Sequence, residues 1–172
     1  MKLPILLICL PLVTLSQNSV KRDSFILLAN NAATDTARVW AFMNAGKLYS
    51  VSQPDSAVMY LDQALALAEK IKFEPGIAKC RINRSVAMNN LGRFRECISD
   101  CQIAIPICER LGMKKELVAS YNNMGNAWDY TGNRWMAIDA FSKALRAMEG
   151  VHLPPNFPLT VRNNIARQYN DV

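Results

Sequence analysis

The stretch SYNNMGNAWDYTGN, residues 120–133, combines poor helix-forming residues with helical spacing. It holds four asparagines and an internal glycine, both unfavourable in helices, yet Tyr121, Met124 and Trp128 recur at intervals of three and four residues. That spacing places the three bulky side chains on one face of a helix. Glycine is favoured inside such a helix where another backbone approaches closely, so we expect a second helix to contact Gly125.

The segments that follow such helices repeat with a period of forty residues. Starting at residues 57, 97 and 137, they read AVMYLDQALALAE, CISDCQIAIPICE and AIDAFSKALRAME. Each begins with a small residue, has a larger one four positions later and carries alanine three positions beyond that. This register presents a narrow stripe of small side chains, which lets a neighbouring helix approach closely.

The preceding segments repeat as well, with asparagine, a small residue two positions later and a bulky residue three beyond that. The four sets are Asn44, Gly46 and Tyr49; Asn83, Ser85 and Met88; Asn123, Gly125 and Trp128; and Asn164, Ala166 and Tyr169. Each repeat is therefore expected to form a helix, a tight turn and a second helix. Gly92 and Gly132 are placed as helix C-caps, and Asn133 lies near the start of the next helix.

The third repeat resembles the tetratricopeptide repeat (TPR) signature. The matching residues are Tyr121, Met124, Gly125, Trp128, Ala137 and Phe141. The period exceeds the usual 34 residues and is similar to that of the forty-residue-repeat subclass. The resemblance implies an all-α, right-handed α-solenoid of antiparallel helix pairs, with three full repeats plus one further helix. The predicted boundaries are a short N-terminal helix within 17–33, a TPR domain at 34–172 with repeats at about 34–73, 74–113 and 114–153, and a final helix at 156–171.

The first stretch, MKLPILLICLPLVTLSQ, has the pattern of a secretory signal peptide. One lysine precedes an apolar run from Leu3 to Leu15, and small and polar residues follow, so we predict a signal peptide at 1–16 with cleavage after Ser16. A membrane anchor is the alternative, but spanning needs about 18 apolar residues, and this run is shorter and contains two prolines. The mature chain is therefore expected to be exported, without membrane insertion.

The charge and the rare histidine exclude several function classes. Loss of Lys2 with the signal peptide lowers the formal charge from +6 to +5, and the basic residues, Arg81 and Arg84 among them, are interleaved with acids. A solvated, mildly basic face is expected, and no nucleic acid is expected as a partner. His152 is the single histidine and lies in a proline-rich connector. No catalytic triad, phosphate loop, metal site or cofactor is indicated, so we expect no enzyme.

Four cysteines leave a second hypothesis open. Cys97, Cys101 and Cys108 share one helix face, and together with Cys80 they could form a thiolate metal site or a redox switch. Cys97 and Cys101 also fall on the core positions that Ala137 and Phe141 fill in the next repeat, and free cysteine behaves as a small core hydrophobe. Core filling is favoured, although a disulfide from Cys80 to the paired helix stays open.

The TPR resemblance implies that the first helices of the repeats line a concave binding face. The candidate ligand-binding residues of this groove are Asn44, Lys47, Lys79, Asn83, Val86, Asn90, Asn122, Asn123, Asn126, Tyr130, Asn164 and Arg167. An asparagine row offers donors and acceptors to the backbone of an extended peptide. The alternative is that the repeated amides bridge adjacent repeats. A carboxylate clamp is not indicated, because the basic residues of this set do not recur at matching offsets.

These observations predict a protein–protein interaction module that binds a peptide or protein segment. A signal peptide, a short helix near KRDSFILLAN and forty-residue repeats together resemble the exported sensor portion of bacterial histidine kinases and related regulators. This resemblance implies that the mature chain lies in the periplasm of a bacterium. In those proteins a transmembrane helix and an output domain follow; neither appears before Val172, so the chain is either incomplete or uses its last helix as a solvating cap. The alternative function is a metal- or redox-responsive protein that uses the central cysteines.

Overall fold

The computed structural model describes residues 23–154 and 156–170, so the predicted signal peptide lies outside the described residues. The described chain is helical, and no strand occurs within it. The helices are α1 (residues 23–30), α2 (Asp35–Tyr49), α3 (Pro54–Lys70), α4 (Glu74–Asn90), α5 (Phe94–Arg110), α6 (Lys114–Tyr130), α7 (Arg134–Ala147) and α8 (Phe157–Asn170). The predicted all-α architecture is confirmed, and α3, α5 and α7 begin forty residues apart.

The helices stack as consecutive antiparallel pairs, α2 with α3, α4 with α5 and α6 with α7, and α8 packs against α7. The first helices of successive repeats also touch one another, α2 against α4 and α4 against α6, whereas the second helices have at most marginal contact among themselves. In a curved stack the layer whose members touch lies on the inside. The surface formed by α2, α4, α6 and α8, called here the first-helix face, is therefore the concave side.

A close contact between the two helices of a repeat explains Gly46 in α2 and Gly125 in α6. A Cβ atom added at Gly125 would lie 2.6 Å from two ring carbons of Phe141, and one added at Gly46 would lie 2.6 Å from Cγ of Leu61. Ordinary contacts of a Cβ atom begin near 3.4 Å. The expected contact at Gly125 is therefore confirmed. The second repeat has Ser85 in this position, opposite the smaller Cys101.

The first helices α4 and α6 end in left-handed turns that only glycine adopts without strain. Gly92 and Gly132 have φ of +72° and +74°, which confirms both predicted C-caps. The amide of Gly92 donates to the carbonyl of Asn89, as expected for a closed helix end. At the end of α3 the same conformation falls on Lys72, with φ of 54°.

A buried ion network joins α3, α4 and α5. The carboxylate of Asp100 is only 1% exposed and accepts hydrogen bonds from Arg81 Nη1 at 3.0 Å and from Arg84 Nε and Nη2, both at 2.8 Å. Arg84 Nη1 also donates to Asp62 at 2.6 Å and Arg81 Nη2 to Glu69 at 2.8 Å, whereas the buried Nε of Arg81 has no partner among the described residues. These arginines were expected on a solvated face; for Arg81 and Arg84 that expectation is wrong, because their charges neutralise a carboxylate in the core.

Within the described residues, no helix combines the length and the apolar character needed to cross a membrane.

Candidate ligand-binding site on the first-helix face

An open pocket of about 370 Å³ lies on the first-helix face and spans three repeats. Its lining residues are Met43, Asn44 and Lys47 from α2, Lys79, Ile82 and Asn83 from α4, and Lys115, Glu116 and Ala119 from α6. The structure thus brings together four of the sequence-predicted ligand-binding residues: Asn44, Lys47, Lys79 and Asn83.

The pocket carries more positive than negative charge. Lys79 Nζ lies 3.1 Å from Glu116 Oε1 and 5.1 Å from the ring centroid of Trp40. The ion pair and the cation–π contact together hold this ammonium in one position. Lys47 and Lys115 are exposed and have no ion pair in the described part of the chain. Three ammonium groups therefore face one carboxylate, and an anionic group of a ligand would find two unpaired cations here.

Two amides in the pocket are available for a ligand. Asn44 and Asn83 are half-buried, and neither has a hydrogen-bond partner among the residues that the structure describes. An asparagine amide offers two donor hydrogens and an acceptor oxygen, which matches the peptide groups of an extended chain. The pocket thus combines fixed charge with unused hydrogen-bonding capacity.

Other asparagines of the predicted row bridge adjacent repeats. Asn123 is buried, and its Nδ2 donates to Ser85 Oγ at 2.9 Å and to the carbonyl of Ile82 at 3.4 Å. Asn90 Nδ2 donates to the carbonyl of Ser50 at 2.7 Å, from one repeat to the turn of the preceding one. For Asn123 and Asn90 the structure shows the bridging role that the sequence left open.

The C-terminal part of the predicted row lies where α8 meets α6. Asn164 Nδ2 donates to Asn126 Oδ1 at 3.4 Å, and Arg167 forms an ion pair with Asp129. Three more of the predicted residues therefore form contacts within the protein: Asn126, Asn164 and Arg167. A ligand role for them stays a prediction.

The last three predicted residues lie outside the pocket lining. Val86 and Asn122 are half-buried, and the Oδ1 atom of Asn122 has no partner among the described residues. Tyr130 is 70% exposed and stacks on Phe94, with ring centroids 5.1 Å apart. These positions extend the candidate surface but do not converge with the basic pocket.

Lys115, Glu116 and Trp40 complete the site and were not predicted from the sequence. The sequence does hold a signal that could have found Lys115 and Glu116, because residues in contact on neighbouring first helices are separated by slightly fewer residues than the repeat length. Lys79 pairs with Glu116, 37 residues further on, and Asn126 pairs with Asn164, 38 residues further on. The residue about 40 positions further along the chain occupies the equivalent position in the next repeat. The residue 37 or 38 positions further along is the one that contacts the first residue across the concave face.

The four described cysteines, Cys80, Cys97, Cys101 and Cys108, are buried free thiols. Burial raises the pKa of Cys80 and of Cys108 to about 12 in each case, and the hydrogen bond with Cys101, together with burial, raises the pKa of Cys97. The thiols of Cys80, Cys97 and Cys108 are therefore protonated at neutral pH, and a protonated thiol is a poor nucleophile and metal ligand. Among the described residues, no three histidine, cysteine, aspartate or glutamate side chains are grouped so that they could hold a metal ion.

Comparison with solved structures defines the fold. BtubC from P. vanneervenii is similar with a TM-score of 0.75 and 17% identity, over 88% of this chain and 63% of that one. A TPR-like protein from Chlorobium tepidum is similar with a TM-score of 0.66 and 16% identity, over 86% of this chain and 98% of that one. The fold is a TPR-like solenoid.

A further TPR-like match is a Rap protein complexed with Competence and Sporulation Factor. Its TM-score is 0.72 and its identity 14%, over 90% of this chain and 46% of that one. The chain thus spans less than two thirds of BtubC and under half of the Rap protein. No protein-family model and no curated protein matches the sequence. At these identities the likeness establishes the TPR-like architecture alone.

Proposed function

We propose that this chain is a non-enzymatic interaction module that binds a peptide or protein segment across its first-helix face. The carrying observation is the open pocket in which Lys47 and Lys115 lack ion pairs within the described chain and Asn44 and Asn83 lack hydrogen-bond partners there. Unused donors and net positive charge fit a ligand that presents both backbone amides and an acidic group. The Rap protein complexed with Competence and Sporulation Factor supports a binding role for this fold.

The proposed ligand segment is extended and carries at least one carboxylate. The pocket spans three first helices, so an extended segment can cross them and contact Asn44 and Asn83 in turn. Lys79, held by Glu116 and Trp40, is pre-positioned and loses little side-chain entropy when an acidic group arrives. Lys47 and Lys115 supply the attraction that depends on salt.

Export and a place in bacterial signalling are part of the same proposal. Their support is the signal-peptide pattern of residues 1–16 and the resemblance of the forty-residue repeats to exported sensor segments. N-terminal sequencing of the protein recovered from a bacterial periplasmic fraction tests the export step. A first residue of Gln17 is expected, and recovery of the intact N-terminus from the cytoplasm would contradict it.

The binding experiment uses a fluorescent peptide library split by net charge, titrated by anisotropy. Acidic extended peptides should bind, and their affinity should fall as salt rises. The double variant Lys47→Ala with Lys115→Ala should lose roughly tenfold in affinity or more, since two charged contacts are removed. The control is Lys143→Ala, an exposed lysine on α7 that pairs with Asp139 outside the pocket, and it should bind as the wild type does.

Variants of the asparagines test whether the ligand contacts only the pocket or also the asparagines outside it. Asn83→Ala should weaken binding by about 1 kcal/mol per lost hydrogen bond with little change in melting temperature. Asn122→Ala with Asn126→Ala should weaken binding only if the ligand reaches the α6–α8 part of the face. Equal binding of acidic and basic peptides, or an unchanged affinity in both the lysine and the Asn83 variants, would refute the proposed site.

A further inference from the structure

On the outer face of α8, two positions are exposed whose equivalents in α2, α4 and α6 are buried. The positions facing the second helix of the same repeat hold Val39 and Gly46 in α2, Ala78 and Ser85 in α4, and Val118 and Gly125 in α6, all buried. Their equivalents in α8 are Leu159 and Ala166, and both are exposed. Leu159 is 57% exposed, and Tyr169, equivalent to Trp128, is 58% exposed. Thus α8 offers a first-helix packing surface that no described residue covers.

At the opposite end, α1 has the position and pattern of a second helix. Ala29 is fully buried in the same way as Ala68, its equivalent 39 residues later in α3, and Arg38 Nε donates to the carbonyl of Ala29, which ties α1 to α2. Leu28, equivalent to the partly buried Leu67, is 58% exposed. Thus α1 offers a second-helix surface that lacks a first helix among the described residues.

A mainly apolar groove of about 480 Å³ runs between α1 and α2. Its lining includes Leu28, Ala32 and Ala41. Their equivalents in the next repeat are Leu67, Ile71 and Cys80, which pack in one cluster with Val39 and Met43 of α2. The inner copy of this groove, between α3 and α4, is therefore filled by the first helix α2, whereas none of the described residues fills the outer copy between α1 and α2.

We propose that α8 of one copy of this chain docks in the α1–α2 groove of a second copy, so that the chains associate head to tail. The two end surfaces are complementary by type: one is a first helix without a second helix, and the other is a second helix without a first. The contact repeats the α2–α3 and α2–α4 packing that the molecule already uses. Because the two surfaces differ, the association is heterologous, and further copies can add at each free end.

The repeat equivalence also specifies the register of the contact. Inside the molecule, Cγ1 of Val39 lies 3.2 Å from the position of a Cβ atom at Gly76. Leu159 is the equivalent of Val39 in α8, and Ala37 is the equivalent of Gly76 in α2. Leu159 of one copy is therefore placed against Ala37 of the next, and both residues are exposed in the single chain.

Sedimentation velocity of the full chain over a concentration series is the first test. The wild type should form species that grow with concentration, and Leu159→Glu and Leu28→Glu should each be monomeric alone, because each blocks one end. A 1:1 mixture of the two variants should form a heterodimer and nothing larger, since one intact end of each type remains. Met59→Glu, at an exposed apolar position on α3, is the matched control and should associate like the wild type.

Disulfide trapping tests the register. A chain with Leu159→Cys mixed with a chain with Ala37→Cys should give a covalent dimer under mild oxidation, whereas Leu159→Cys mixed with Val51→Cys should not. The described native cysteines are buried, and wild-type chain oxidised in parallel gives the background. A monomeric wild type at every concentration, a Leu28→Glu variant that still associates, or covalent dimers of Leu159→Cys alone would overturn the proposal.

Discussion

Replacing Asp100 by asparagine should destabilise the protein more than the same change at Asp62, the exposed carboxylate that contacts Arg84. The carboxylate is 1% exposed and accepts three hydrogen bonds from Arg81 and Arg84. Asparagine has nearly the same shape but is neutral, and its NH₂ group would face guanidinium donors. The guanidinium groups of Arg81 and Arg84 would then lose their buried counter-charge and keep only the more exposed carboxylates of Glu69 and Asp62.

The expected loss follows from the burial of the pair. Removing one partner of a buried ion pair typically costs about 3–5 kcal/mol, because the other charge stays in the interior uncompensated. An arginine guanidinium is not deprotonated in proteins, so loss of a proton cannot relieve the missing counter-charge. For a chain of this length, such a loss corresponds to a fall in Tm of roughly 10 °C.

Asp62 supplies the matched control. It contacts the same guanidinium, with Arg84 Nη1 at 2.6 Å, but its side chain is 49% exposed. Asp62→Asn should therefore cost about 1 kcal/mol or less, as for other exposed pairs. Urea denaturation measures both variants, with the m-value checked for constancy. Equal midpoint shifts for Asp100→Asn and Asp62→Asn would refute the reasoning from burial.

Three further predictions concern packing, backbone strain and pH. Gly125→Leu should cost about 1–3 kcal/mol in urea denaturation, because the new side chain overlaps the ring of Phe141; an unchanged midpoint would contradict the close crossing. Lys72→Gly should raise stability by up to about 1 kcal/mol, since it relieves a positive φ; a lower Tm would mean that the lysine stem contributes more than the strain costs. Stability should fall between pH 9 and about 12, because the thiols of Cys80 and Cys108 ionise near 9.0 when unfolded but only near 12 when folded. Melts from about pH 8 to 11 check this, and a variant with both cysteines changed to alanine should lose part of the decline; identical pH profiles for the two proteins would contradict it.

Most of the fold could be predicted because it depends on local patterns that recur. The asparagine–small–bulky triplets and the small–large–alanine stripes each fix one helix face, and forty residues separate their copies. Gly92 and Gly132 mark helix ends because only glycine adopts the left-handed conformation freely. Lys72 shows the limit of that rule, since the same turn forms there without glycine.

The candidate site was harder to predict because it depends on contacts between repeats. Asn83 and Asn123 occupy equivalent positions, yet the first opens into the pocket and the second is buried against Ser85. The difference arises from the neighbouring helix, which sequence position alone does not specify. The Asp100 network was missed for a similar reason: its charges come from three helices that lie apart in the sequence.

The α1–α2 groove and the ligand pocket share residues, so self-association through the groove and ligand binding in the pocket should be thermodynamically linked. Asn44 lines both cavities, and Trp40, which lines the groove, also holds the ammonium of Lys79 in the pocket. If docking of α8 shifts Trp40, the position of Lys79 shifts with it, and the free energy of ligand binding changes. Linkage then requires a reciprocal effect: a saturating acidic peptide must change the self-association constant by the factor by which association changes peptide affinity. Sedimentation with and without peptide, compared with titrations of the monomeric Leu28→Glu variant and of the wild type, measures both factors. Equal peptide affinity in monomer and oligomer would show that Trp40 does not couple the two sites.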